Sequence, residues 1–318
     1  MKQAVKKGAT RAKAVGIKRK KSVGSKLVAV LKRNWGAWLL ILPAIICIYL
    51  FIILPQVKCL YWSFFDMKGY TVGEFVGLAN YKRVLTDTTF LKVLWNTCQY
   101  VLWSLAIGAV LPVIVAVVLN ELIHMRKTFR FFVYLPSALP GVAIMMLWYL
   151  VYYPDYGGLL NILLSKIGME PYVWLQDERW TILYIVISMT WSGAGGTAIY
   201  YFAALQGVNK ELYEAAMMDG AGFIRRFRVV TFPHISGVFL LFLVRQIIGV
   251  FSIMEQPMQM TDGGPNNASM TLGLMAYRYG FVNIRPQLAM AIGTIMFLIL
   301  LVLTCFYFRV NKKIESSF

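Results

Sequence analysis

Six blocks of about 20 or more mostly apolar residues decide what this chain can fold into. They fall at 38–60, 93–122, 129–153, 181–205, 233–259 and 288–308. A bilayer's hydrocarbon core is ~30 Å thick, so a helix rising ~1.5 Å per residue needs about 20 apolar residues to cross it. Within that core every backbone N–H and C=O must be satisfied inside the chain, so such blocks read as helices. The remaining composition agrees, with 59% of 318 residues hydrophobic, 14% charged and a mean hydropathy of +0.63; soluble domains carry about 25% charge. The expectation is an all-α membrane protein with about six transmembrane helices, and a soluble globular domain is excluded.

A net charge of +18 would suit a nucleic-acid binder, but its placement follows the membrane instead. Residues 1–33 hold twelve Lys or Arg, and the first acid in the chain is Asp66. With the N-terminus in the cytoplasm, six spans also put 123–128, 206–232 and the C-terminal tail inside. With a few flanking residues, these segments and the N-terminal tail carry 22 of the 32 basic residues, the bias that the positive-inside rule describes. The basic head therefore reads as a topology anchor that also meets anionic membrane lipid, with no nucleic acid among its partners. It leads into a full-length span rather than the short apolar region of a cleavable signal. Three regions follow: a basic cytoplasmic tail at 1–34, a membrane domain at 35–310 and a cytoplasmic tail at 311–318.

The connections are short. The outer segment 61–92 reads as an interfacial helix leading into the second span, and 154–180 as a Gly- and Pro-punctuated loop with a short helix. Pro43, Pro55, Pro112, Pro136 and Pro140 lie in or near spans and suggest kinked, packed helices. Cys47, Cys59, Cys98 and Cys305 lack metal-ligand spacing. A Cys59–Cys98 disulfide and plain apolar thiols both remain open.

The most informative stretch is a cytoplasmic loop at about 207–232. Glu214-Ala215-Ala216-Met217-Met218 favours helix. Asp219-Gly220 supplies a turn, because glycine takes positive φ at little cost. A second helix then runs from near Gly222 to Pro233, which can open the fifth span without losing a needed N–H. The product is a helix–turn–helix finger with a carboxylate, a tight turn and Arg225, Arg226 and Arg228, suited to docking a cytoplasmic partner. An ordinary connector between spans would look similar on helicity alone.

The pattern Glu214-Ala215-Ala216, then Gly220, then Val230-x-Phe232-Pro233 resembles the EAA loop of binding-protein-dependent ABC importer permeases, whose usual Ile-x-Leu-Pro ending is conservatively changed here. Six further stretches are similar to that family's signatures, in order: Gly77 to Tyr81, Asn96-Thr97, Leu135-Pro136, Trp148, Gly158 to Asn161, and Thr261-Asp262-Gly263-Gly264-Pro265. The resemblance covers about 37–310 and is nearest to carbohydrate permeases related to the larger permease of maltose transporters. It implies a type I importer architecture, with the loop as a coupling helix seated on an ATPase. Glu214 would then make a charged contact, Gly220 and Asp219 the turn, and Ala215, Ala216 and Ala221 a close approach. Arg225 and Arg226 would add rim contacts or serve as positive-inside anchors. Implied partners are a second homologous permease, two ATP-binding subunits and an extracytoplasmic solute-binding protein. ATP and magnesium would be held by those ATPases, with no cofactor in this chain, which has no phosphate-binding Gly-x-x-x-x-Gly-Lys-Ser/Thr loop.

A transport path needs small and polar groups facing the bundle interior. The fourth span offers Met189, Ser192, Gly193 and Gly196 on one helical face with Trp191 beside them; the fifth offers Gln246, Gly249, Val250 and Ile253. Helix packing also favours small residues, so both readings fit. Arg245 lies twelve residues after Pro233, where a charge is costly, and either faces a wet cavity or bridges helices. An ion-coupled carrier is the main alternative, but it usually needs acids inside the membrane, and the apolar parts of the spans have none. A membrane enzyme would need a catalytic cluster, and the only histidines, His124 and His234, stand at span ends.

Overall fold

A computed structural model describes residues 35–315, Ile123 excepted, with side chains through Arg309. The basic tail at 1–34 lies outside the described residues. The chain divides into two compact units, Met1–Lys58 and Cys59–Phe318. Their boundary falls inside the first long helix, α1 (Trp35–Trp62), which contains Pro43 and a π-helical stretch at Tyr49–Ile53.

The second unit opens with an element that the sequence reading placed in a helix. Strands β1 (Phe65–Lys68) and β2 (Thr71–Phe75) pair antiparallel around a turn that includes Gly69 at φ +59°. In β1, Phe65 and Met67 alternate with Asp66 and Lys68, a period of two that suits a pleat, and an irregularity between Phe65 and Met67 shifts the register against Val72 and Phe75. The helix expected across 61–92 shrinks to α2 (Ala79–Leu85) and the start of α3 (Phe90–Glu121).

The third span differs too. It breaks into α4 (Arg126–Ala138) and α5 (Gly141–Val151), bent by 97°. Leu139 at the break is extended, at φ −79° and ψ 149°, because a residue before proline is pushed out of the α region by Pro140. Among the described residues, five helices are long and apolar enough to cross a membrane, and this bent pair makes a sixth.

After the outer helix α6 (Leu159–Lys166), α7 (Thr181–Leu205) runs through the centre and packs on α3, α4 and α9 (Phe223–Phe251). One glycine sets its distance from α4. A Cβ at Gly195 would lie 1.9 Å from the Val133 carbonyl oxygen, so any larger residue would drive the two backbones apart. Below α7 lies α8 (Lys210–Met218). The fifth span was expected to reach 259, but α9 stops at Phe251 and α10 (Glu255–Thr261) is a separate short helix. The break is fastened by Thr271, whose hydroxyl donates to the Ile253 carbonyl at 2.6 Å. The chain closes with α11 (Leu272–Tyr277) and α12 (Pro286–Glu315). Three apolar clusters fill the second unit: one around Val93, Leu272 and Ile292, one around Tyr100, Ile185 and Val250, and one around Leu119, Tyr201 and Ile235. All four cysteines are free.

Candidate functional site

Two features of the second unit stand apart from plain packing: a finger below α7 and α9, and a cavity between the helices.

The finger is α8, its turn and the start of α9. Asn209 caps α8 by accepting from Glu211 N–H at 3.1 Å, meeting an otherwise orphaned donor of the first turn. At the other end, Gly220 N–H donates to Met217 O at 3.0 Å and Ala221 N–H to Ala216 O at 2.9 Å, with Gly220 at φ +72°. This is a Schellman stop, and it needs the left-handed residue that glycine supplies. The finger is moored by Tyr213 and Thr231, whose hydroxyls lie 3.0 Å apart. Glu214, Ala215, Asp219 and Arg225 are exposed, and Ala216, Ala221 and Arg226 half-buried. Glu214 belongs to none of the ion pairs among the described residues, which all lie in the outer segments. Beside it, Met217, Met218 and Ile224 are 50%, 89% and 65% exposed. An unpaired carboxylate among exposed methionines suits a groove on another protein.

The cavity holds about 920 Å³ and is walled by α3, α4, α5, α7 and α9, a size that suits a small ligand. It gathers Met189, Ser192, Gly193 and Gly196 from α7 with Arg245, Gln246, Gly249 and Val250 from α9. Gly193 and Gly249 open it, since a Cβ on either would meet nothing within 4 Å. Gln246 crosses to α3, donating to the Ser104 carbonyl at 2.8 Å and hydroxyl at 2.7 Å. It passes over Gly108, where a Cβ would lie 2.4 Å from Gln246 Nε2. The Ser192 hydroxyl donates to its own helix at Met189 O, 2.9 Å away. Ser137, which the sequence reading passed over, stitches α4 to α7: its hydroxyl donates to Ser192 O at 2.6 Å and accepts from Gly196 N–H at 3.0 Å. Tyr134, Tyr200 and Phe242 add aromatic walls that no spacing rule picked out.

Two of the ten expected pathway residues stand elsewhere. Trp191 does not line the cavity; it is exposed and meets Trp148 edge-on at 5.7 Å. Ile253 lies past the end of α9, buried with Val250 and Met260, so the i, i+3, i+4, i+7 face that placed it ends too early.

The outer signature residues share a different task. Asn96 Nδ2 donates to Asn267 O at 2.7 Å and Met270 O at 3.1 Å, Thr97 Oγ1 accepts from Leu272 N–H at 3.0 Å, and Tyr100 OH donates to Ser269 O at 3.1 Å. The Thr261–Pro265 turn and the Asn96-Thr97 pair, far apart in sequence, are thus joined in one clasp. Asn80 bonds the carbonyls of Ser63 and Phe65, and Asn161 those of Tyr153, Asp155 and Tyr172. These asparagines order loops by satisfying buried carbonyls. Nearby, Asp87 accepts from Thr89 N–H, Thr89 Oγ1 and Tyr279 OH. Partial burial raises its pKa, but these bonds outweigh it and hold the carboxyl below its ordinary value. Burial first, then the bond to Asp87, pushes Tyr279 up to about 12.

A membrane bundle with a cavity at its centre and a docking finger beneath is the form of a transport permease. The chain belongs to the family of binding-protein-dependent transport system inner membrane components, which it matches over residues 108–316. It is similar to the trehalose/maltose transport system permease protein MalF of Thermococcus litoralis, 31% identical over 86% of this chain and 93% of that one. The arabinooligosaccharides transport system permease protein AraP of Bacillus subtilis is 29% identical over 87% of each. Among solved structures, a chain of a bacterial alginate ABC transporter, crystallised with an alginate pentasaccharide-bound periplasmic protein, superposes with a TM-score of 0.80. It is 26% identical, over 91% of this chain and 98% of that chain.

Proposed function

We propose that this protein is one of two permeases of an importer that moves a sugar or oligosaccharide across a bacterial or archaeal plasma membrane. Its cavity accepts the solute from an extracytoplasmic binding protein, and its finger docks on one of two ATP-binding subunits. The carrying observation is that α9 belongs to both places: it begins in the finger and ends in the cavity wall. Closure of the ATPases pulls on the finger, and α9 passes that motion to the cavity, a rigid-body switch between two access states. Both termini lie in the cytoplasm, the membrane domain spans 35–310, and ATP and magnesium are bound by the partners. The chain itself carries out no catalysis. The carbohydrate reading rests on the relatives, which are named for trehalose/maltose, arabinooligosaccharides and alginate among others.

The experiment is affinity purification of the tagged chain from its native membrane, followed by mass spectrometry and vesicle uptake. Two ATP-binding subunits and a second permease are expected to copurify, and Glu214→Arg is expected to lose the ATPases with the second permease retained. Purification of a chain that transports alone, driven by an ion gradient, would sink the proposal.

A further inference from the structure

Among the described residues that line the cavity, Arg245 is the one cation and none is an acid. It also forms none of the ion pairs among the described residues. Its recorded contact is with the Phe242 ring, 5.9 Å from the guanidinium carbon to the centroid. A full charge within a membrane helix is expensive unless something compensates it, and no acid among the described residues pairs with this one.

Three of the cavity's other polar side chains are already engaged. Gln246 spends its amide hydrogens on Ser104, Ser192 bonds its own helix, and Ser137 bonds α7. Thr190, Thr197, Tyr134 and Tyr200 each offer one hydroxyl, and the guanidinium, with five N–H groups, holds the largest set of donors on one side chain of the wall. It stands among Tyr134, Tyr200 and Phe242, rings suited to the apolar faces of sugars. A guanidinium is a planar fork whose parallel N–H groups match the two oxygens of a carboxylate, a geometry that a hydroxyl does not meet.

We infer that Arg245 makes this cavity selective for acidic glycans, oligosaccharides in which at least one sugar carries a carboxylate. The inference rests on the sugar-importer reading above and goes further by giving the cargo a charge. It assigns Arg245 as a specificity residue: the cation compensates the cargo's carboxylate as it leaves water, whereas a neutral sugar would leave the cation unpaired. Arg245 is exposed to this open cavity, and the discrimination comes from the carboxylate, which is costly to bring into a membrane cavity without a cation to meet it.

The test uses the assembled transporter in vesicles, with its solute-binding protein and ATP. The vesicles are offered one pooled digest of neutral and uronate-bearing polysaccharides, together with the same pool after chemical reduction of its carboxyl groups. Mass spectrometry reads which glycans enter. Uronate-bearing glycans are expected to dominate uptake by the wild type. Arg245→Gln is expected to lower the ratio of acidic to neutral glycans at least tenfold, and Arg245→Lys to keep more of it than Gln does. Uptake of neutral glycans alone by the wild type, or an unchanged ratio in Arg245→Gln, overturns the inference and leaves the importer reading standing. So does failure of both variants to assemble with the second permease, which would make Arg245 a subunit contact. Entry of no glycan of either kind overturns the sugar reading itself, and this inference with it.

Discussion

At the scale of single residues, two glycines two positions apart on α7 have opposite duties. Gly195 lets α4 and α7 touch through their backbones, while Gly193 faces open space. Gly195→Ala is expected to destabilise the protein by about 1–3 kcal/mol, as overpacking does, and to lower the thermal midpoint of the purified complex. Gly193→Phe is expected to leave that midpoint within a few degrees yet cut uptake, because the ring would occupy the cavity. Asp87 gives a pH-dependent counterpart. Its folded pKa is depressed, so its bonds to Thr89 and Tyr279 stabilise the fold above the unfolded carboxyl pKa of about 4. That contribution fades as pH falls through the lower, folded value. Tyr279→Phe should therefore lower the thermal midpoint near neutral pH, with the gap from wild type narrowing as the medium is acidified below about 4. A gap that stayed constant with pH would refute the linkage.

At the scale of elements, what could be read in advance was local and what could not was set by neighbours. The finger was legible because Asp219-Gly220 writes its own helix stop, and the structure forms it with Gly220 at φ +72°. The hairpin carried a short signal as well, in the alternation from Phe65 to Lys68 and in Gly69, but surrounding aromatics and the adjoining spans favour helix over so short a stretch. Pro140 announced a kink without its size, since the 97° angle depends on what α5 packs against. The end of α9 had no signal of its own. Ser252 and Ile253 continue an apolar run, and the stop comes from Thr271, distant in sequence. That is why the face expected through Ile253 ends at Val250, with Gln246 and Gly249 lining the cavity and Ile253 packed elsewhere. The cap at Asn209 is an element-scale prediction. Asn209→Ala should cost α8 about 1 kcal/mol, seen as faster amide hydrogen exchange across Lys210–Met218 with little change in α7.

At the scale of the whole molecule, the span count and the family were legible from apolar length and motif order, and the cavity only in outline. Seven of its residues could be chosen from helical periodicity, because α7 and α9 are regular where they line it, and Arg245 from its charge within a span. Tyr134 and the Ser137 stitch come from α4, whose placement depends on the bend, while Tyr200 and Phe242 stand on α7 and α9 outside the faces that small and polar residues mark. The same α9 that walls the cavity is continuous from Phe223 to Phe251, its regular winding relieved by a π turn at Phe227–Thr231. From Arg226 to Gln246 it spans roughly 30 Å at ~1.5 Å per residue. A stiff strut of that length, tipped by about 5° at its foot, carries its far end sideways by roughly 2.6 Å. Hydrogen bonds fail when stretched by less than about 1 Å, so a few degrees at the foot of α9 suffice to undo the grip of Gln246 on Ser104.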